Sequence, residues 1–362
     1  MDVMRGIAFI LLACALVAGA ETMSLKRDEC ISFYPGIAQR VPGKDAWRVE
    51  IRGLVFEPEK RGVPLWVLRE ALDFKDIELN AAEQRIFEQR ARYFLVDHER
   101  RKTVAVRFGL KTYRVGKSEA DGFFQGTVAL LDKHALENGL LAKRPPGHFT
   151  FSAALPSEGG RRFQGEAFVL EATGLSVISD IDDTIKITDV RDRKATLRHT
   201  FLREFQPVAG MAKFYQRLAR ERGAQFHYVS ASPWQLYEPL ADFIRSNSFP
   251  AGTFALKEFR WKNRTALNLF ADPERYKPTV IEPLLKRFPK RRFVLVGDSG
   301  ERDPEIYGAL ARKFPGQIER IYIRDVTNEP AETERHVKAF RDVPREQWQI
   351  FREPGEIKFA SP

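Results

Sequence analysis

The sequence predicts an α/β protein: a parallel sheet with helices on both faces, preceded by a smaller β-rich, sandwich-like region. Three observations point there. After Gly174, apolar strand-length runs alternate with helix-length amphipathic stretches, as in a sheet whose crossovers are helices. Before Gly174, apolar residues recur with period two between glycine-rich turns, as in a small sandwich or barrel. And 362 residues exceed the roughly 100–200 of a single domain, so two folded units fit.

At the N-terminus, Arg5 precedes a short apolar run over 7–17, and Ala18, Gly19 and Ala20 offer a small-residue cleavage site. That run falls short of the ~20 residues that span a bilayer, so residues 1–20 read as a signal peptide and the protein as exported, periplasmic or secreted. Cys14, after Leu11, Leu12 and Ala13, offers a lipoprotein acylation site as an alternative, and an uncleaved anchor is another. Cleavage after Ala20 leaves Cys30 as the one remaining cysteine, which excludes an intramolecular disulfide framework and a cysteine zinc site. The net charge of +10 permits a phosphate ester, an anionic lipid surface or nucleic acid as partner without choosing among them. No helix-turn-helix, zinc motif or stacking-aromatic pattern supports nucleic-acid binding, and none is expected.

Residues 21–45, with Pro35, Gly36, Pro42 and Gly43, read as a linker. Residues 46–173 form the β-rich region. Trp47, Val49 and Ile51 alternate with polar neighbours, as do Val104, Val106 and Phe108 before a turn at Gly109. Phe123 with Phe124, Phe149 with Phe151, and 163–170 give further strands, and Gly159 with Gly160 a turn. A helical insertion covers 65–93, with Asn80 placed to cap a helix that carries Ile86 and Phe87. Residues 174–330 read strand 175–179, an irregular basic segment, helix 208–221, strand 225–230 and helix 233–246. Helix 279–288, strand 292–297, helix 304–313 and strand 318–323 follow. Residues 331–362 are a C-terminal helical extension.

Ligands of such sheets bind beyond the carboxyl ends of the strands, and the chemically capable residues lie there. The first strand ends at Asp180 and Asp182, with Asp183 and Thr184 next. Like charges this close are costly to bury unless a cation or a shared proton offsets them. The second strand ends at Ser230. The third ends at Asp298, with Asp303 following, and Lys277 precedes it at a helix start. A carboxylate can attack phosphorus and a second can exchange a proton with the leaving group and water. Magnesium takes oxygen ligands and keeps room for substrate phosphate. A hydroxyl and an ammonium can hold the phosphoryl oxygens.

This set resembles the haloacid dehalogenase superfamily. Asp180, Asp182 and Thr184 match its Asp-x-Asp-x-Thr motif, Ser230 its second motif, Lys277 its third (with Lys257 as rival), and Asp298 and Asp303 its last. Segments 179–186, 228–237 and 297–307 look more narrowly like the actin-patch-associated phosphatidate phosphatases and their bacterial relatives. The resemblance implies a HAD-like, Rossmannoid fold and magnesium-dependent conversion of phosphatidate to diacylglycerol. It makes Asp180 the nucleophile. Asp182 becomes acid and then base, with its backbone carbonyl on magnesium, and Asp298 a magnesium ligand. Ser230 and Lys277 become phosphate-binding groups, and Asp303 supports the metal or Lys277. A phosphatase of small soluble phosphomonoesters, or a non-catalytic lipid- or envelope-binding module, are the competing readings.

The blander assignments are equally specific. Asp183 and Thr184 cap and tighten the turn. Ser232 and Pro233 start a helix. Trp234 and Tyr237 are core residues, with one of them able to line a substrate entrance. His227 is core. Lys186, Arg191, Arg193, Lys194 and Arg198 form a solvated basic loop or a contact for an anionic membrane surface. The mixed stretch 257–262 could touch substrate.

Overall fold

The computed structural model describes residues 22–58, 65–137, 147–156, 160–258 and 273–357. The signal expected over 1–20 and the stretch 259–262 lie outside the described residues. Among the described residues, no helix is long and apolar enough to cross a membrane.

The N-terminal sheet has nine strands: β1 Cys30–Tyr34, β2 Gly36–Arg40, β3 Ala46–Glu57, β4 Asp97–His98, β5 Thr103–Phe108, β6 Lys111–Lys117, β7 Phe123–Leu131, β8 His148–Ala153 and β9 Gln164–Val169. The long β3 is its hub, pairing with β1, β2, β4 and β7. It is one curled sheet rather than two stacked ones. The curl brings β6 against β7 at Gly126, where a Cβ would lie 2.6 Å from Val115 Cγ1 and from Val115 O. Its interior holds Trp47, Val49, Ile51, Val104, Val106, Phe149 and Phe151. These are the residues whose period-two spacing predicts strands.

The segment expected as a linker is a correction. β1 and β2 both pair with β3, and β2 also runs parallel to β9. Pro35 only separates the two strands. Gly36 lies inside the sheet because a Cβ there would sit 2.2 Å from Glu50 O. The helical insertion is α1 Leu65–Ala71 and α2 Ala81–Ala91. Asn80 caps α2 through the amides of Ala82 (2.9 Å) and Glu83 (3.0 Å), while Glu83 returns a bond to the Asn80 amide. A short helix α3, Asp132–Glu137, follows β7.

The second sheet has six strands: β10 Leu175–Asp180, β11 Gln225–Pro233, β12 Gly252–Lys257, β13 Arg292–Asp298, β14 Ile318–Arg324 and β15 Trp348–Phe351. They lie in the order β12-β11-β10-β13-β14-β15, every pairing parallel. Alternate residues face opposite ways, so both faces are apolar. Val177, Tyr228 and Val296 pack against α4 Arg193–Phe201, α5 Met211–Arg222 and α6 Tyr237–Ser246. Ile178, Val229 and Leu295 pack against α7 Pro273–Arg287, α8 Asp303–Lys313 and α9 Glu334–Ala339. The chain is therefore mixed α/β, with helices on both faces of a parallel sheet.

Several boundaries differ from the sequence reading. The basic segment after β10 contains α4, capped by Asp192. β12 is an additional edge strand, and β15 makes the C-terminal extension part of the sheet rather than purely helical. Ser232 does not cap a helix: it lies within β11, and α6 begins at Tyr237 after the short turn Trp234–Leu236. The curled sheet closes over the exposed side of β12. Arg52 of β3 donates to Phe254 O of β12 at 2.5 Å, Ser32 donates to Glu238 of α6 at 2.7 Å, and Arg287 of α7 pairs with Gln39 and Glu50. Covering an edge this way satisfies groups that would otherwise template further strands.

Candidate active site

Asp180, Ser230 and Asp298 end or nearly end three adjacent strands, in the order β11-β10-β13, at the same edge of the sheet. Asp180 is 1% exposed. One carboxylate oxygen meets Lys277 Nζ at 2.8 Å and the other accepts from Thr184 Oγ1 at 3.0 Å. Lys277 is fully buried, one turn into α7. It also bonds Glu301 Oε2 at 2.8 Å and Asp303 Oδ1 at 2.5 Å. The rival lysine, Lys257, is the last residue of β12; it is Lys277 that reaches Asp180.

Asp298 accepts the amides of Gly300 (2.6 Å) and Glu301 (3.2 Å) with Oδ1, while its buried Oδ2 has no partner among the described residues. Asp303 opens α8 and turns back toward β13, accepting the Asp298 amide at 3.3 Å. Gly297 makes room for it, since a Cβ at that position would lie 2.2 Å from Asp303 Oδ2. Asp180, Asp298 and Asp303 each offer a carboxylate oxygen within 4.8 Å of the others.

Asp182 lies apart from that group. Its Oδ1 takes Lys186 Nζ at 2.8 Å and Thr188 Oγ1 at 2.9 Å, and its Oδ2 takes Ser230 Oγ at 2.9 Å and Ser232 Oγ at 3.3 Å. Its side chain is thus committed to these donors, and only its backbone carbonyl is left for the expected place beside a metal. Asp183 is a turn-former. It adopts φ +54°, and its carboxylate accepts the amides of Thr188, Asp189 and Val190 at 2.7–2.9 Å. An Asp tolerates the left-handed region when its side chain bonds locally in this way.

Three carboxylates, Asp180, Glu301 and Asp303, therefore meet one buried ammonium, and a fourth, Asp298, lies close by. Burial, reinforced by Asp303, Glu301 and Asp298, holds the Asp180 carboxyl well above the usual carboxylate range despite Lys277. Burial and the same neighbouring charges push Asp298 well up too, and Glu301 and Asp303 are raised. Burial works against the Lys277 ammonium, yet Asp180, Asp303 and Glu301 hold its pKa well above the ordinary lysine value. Asp182 goes the other way. Burial disfavours its charge, but Lys186, Ser230 and Thr188 outweigh that and keep it below the usual range. The cluster favours an added positive charge, whether a proton or a cation. Its oxygen-only donors and the unpartnered Asp298 Oδ2 suit a hard divalent ion such as magnesium.

Glu301 and Lys186 are site residues that the motif pattern of the sequence does not mark. Glu301 sits between Asp298 and Asp303 in one loop, a third acid in a short span, and that density was the available signal. Lys186 read as one of a basic run, but it is 1% exposed and serves Asp182. Arg191, Arg193, Lys194 and Arg198 are exposed. His227 is in the core, bonded to Ser176 at 3.1 Å and Thr253 at 2.7 Å. Trp234 stacks on Tyr34 of β1 (4.2 Å between ring centroids, 21° between planes), and Tyr237 meets the same ring edge-on.

Residues 175–325 match the family model for the catalytic domain of phosphatidate phosphatase APP1. The Saccharomyces cerevisiae protein phosphatidate phosphatase APP1 is 39% identical over 166 residues, 45% of this chain and 28% of that protein. An uncharacterized protein of Schizosaccharomyces pombe is 32% identical over 173 residues, 47% of this chain and 28% of that protein. The chain thus spans under a third of the length of either relative. Among solved structures, the Pnkp1/Rnl/Hen1 complex aligns at 13% identity with a TM-score of 0.29, over 41% of this chain and 45% of that one, too distant to bear on the fold. Residues 175–325, which contain all the site residues named above, are therefore the part of this chain that is similar to the catalytic domain of phosphatidate phosphatase APP1.

Proposed function

We propose that the protein is a magnesium-dependent phosphatase acting through an aspartyl-phosphate on Asp180, with phosphatidate as substrate and diacylglycerol as product. The observation that carries this is the buried cluster Asp180, Asp298, Asp303 and Glu301 around Lys277, at the carboxyl edge of the parallel sheet. Its member Asp180 opens the Asp-x-Asp-x-Thr motif. The fold reading that accompanies it is HAD-like.

Asp180, Asp298 and Asp303, with the Asp182 carbonyl, would hold magnesium, which supplies neutralising charge to the carboxylate and the phosphoryl oxygens. In the first step an Asp180 oxygen bonds to phosphorus, the bond to the leaving oxygen breaks, and that oxygen takes a proton from Asp182. In the second, water attacks phosphorus, Asp182 takes its proton, and the bond to Asp180 breaks to release phosphate. Asp182, held as a carboxylate by Lys186 and three hydroxyls, suits the second step best. Lys277 and Ser230 would hold the phosphoryl oxygens, for which the Ser230 hydroxyl must leave Asp182.

The export signal over 1–20 stands as part of the same proposal. Contact with an anionic membrane surface would use exposed Arg191, Arg193, Lys194 and Arg198. The test is phosphate release from phosphatidate, lysophosphatidate and a soluble ester, with magnesium and with chelator. Magnesium-dependent release from phosphatidate is expected. Release from soluble esters alone removes the lipid reading, and no release from any removes the enzyme.

A further inference from the structure

We propose that the seam between the two sheets is a groove for a long apolar chain of the substrate, an acyl chain. This rests on the phosphatidate reading for its occupant, but the groove itself is a feature of the fold. Two adjoining cavities line the seam, about 450 Å³ and about 400 Å³. Each is within the roughly 300–1,000 Å³ typical of small-molecule sites.

The first cavity lies at the carboxyl end of β12, on the same edge of the parallel sheet as the carboxylate cluster. Two of its wall residues come from chain segments that also carry the site. Trp234 follows Ser232, which donates to Asp182, and Tyr276 precedes Lys277, which bonds Asp180. Its outer rim is polar, with Glu119 and Glu258 exposed, and its inner walls are the aromatic rings of Tyr34, Phe123 and Trp234. The second cavity continues the first, sharing Arg52, Gln125, Ala255 and Val280 with it. It runs back along the sheet between β3 and α7 over Ile178, Val229 and Ile281, and ends at the Arg287–Glu50 ion pair.

From the carboxyl edge of the sheet inward, the lining therefore passes from charged and aromatic side chains to a stretch over Ile178, Val229 and Ile281 that closes at an ion pair. A diacylglycerol phosphate monoester has the same polar-to-apolar order: phosphate, carboxylic ester oxygens, hydrocarbon. Arg52 crosses the junction, yet it is tied to Pro35 O and Phe254 O and lies 5.3 Å over the Trp234 ring. It bridges the two sheets while a chain passes beside it. The groove has one wall from each sheet, so the curled sheet becomes a specificity element rather than a passive neighbour.

Binding is tested on the full chain with cis-parinarate, a fatty acid that fluoresces when its chain leaves water. Saturable binding is expected, displaced by dodecanoate and not by butyrate, because each methylene seated adds severalfold affinity. Ala255→Trp on β12 and Val280→Trp on α7 fill the groove from opposite walls, and each should weaken binding at least about tenfold. The same substitutions should lower the kcat/KM ratio of long-chain over short-chain phosphatidate. Absence of saturable binding in the unmodified chain, indifference to chain length, or undiminished binding by folded variants overturns the groove. Since binding is read without turnover, such a result leaves the phosphatase reading standing. Chain-length-dependent binding with no phosphate release from any ester would keep the groove and remove the phosphatase.

Discussion

Replacing Asp298 with Asn should stabilise the metal-free protein while removing its response to magnesium. Asp298 Oδ2 is buried with no partner among the described residues, and burial plus Asp303 and Glu301 disfavour its charge. The Asn side chain keeps the oxygen that accepts the Gly300 and Glu301 amides and puts an NH₂ donor where the orphaned oxygen was. Asp180 and Asp303 each offer a carboxylate oxygen within 4.8 Å of an Asp298 oxygen, so a small side-chain adjustment brings an acceptor into reach. Relieving an unsatisfied buried polar atom is worth about 1–3 kcal/mol. For a unit the size of the parallel-sheet half, each kcal/mol moves Tm by roughly 2–4 °C. A gain of about 2–12 °C in chelator is the expectation. With magnesium at a hundred times its Kd, the unmodified protein should gain about 2.7 kcal/mol and the variant almost nothing. Thermal and urea unfolding, each with chelator and with magnesium, read both numbers. A variant that is less stable in chelator, or that magnesium stabilises as much as the unmodified protein, would show that Asp298 is an ordinary structural partner rather than a magnesium ligand.

Two further perturbations probe the fold. Burial, with Arg291 and Arg52 nearby, lowers the His227 pKa to about 3, against about 6.5 in the unfolded chain. The unfolded state thus takes up a proton between those values that the folded state refuses. Stability from this group is complete above about pH 6.5 and falls by up to about 1.4 kcal/mol per pH unit below it. His227→Gln should remove about 2 kcal/mol of the loss between pH 7 and pH 5 in urea unfolding, and an unchanged slope would place a protonated imidazole in the core. Asn80→Ala removes both bonds to the first turn of α2 and should cost about 1 kcal/mol. Asn80→Asp should cost little, and equal losses in the two would mean that the cap contributes nothing through its side-chain oxygen.

How much of this was legible in the sequence depended on whether the signal was local. Asp180 and Asp298 end apolar strands and Asp303 starts a helix, so position alone marked them. Asn80 with Glu83 is a local pattern and predicted its own cap. Lys186 and Ser232 were misassigned because their roles depend on Asp182 across a folded loop, which composition does not reveal. β1 and β2 were hidden by Pro35 and Gly36, residues that break isolated strands but here sit at a joint and at a close approach to Glu50. β15 is only four residues long and joins the sheet at its edge, where no period has room to show.

The most direct test of the mechanism is to quench the protein in acid during turnover of phosphatidate with magnesium and to search its peptides for added phosphate. Phosphate is expected on the side chain of Asp180, lost in Asp180→Asn together with phosphate release, and absent in chelator. Sustained phosphate release by Asp180→Asn, with no phosphorylated aspartate in either protein, would contradict the mechanism.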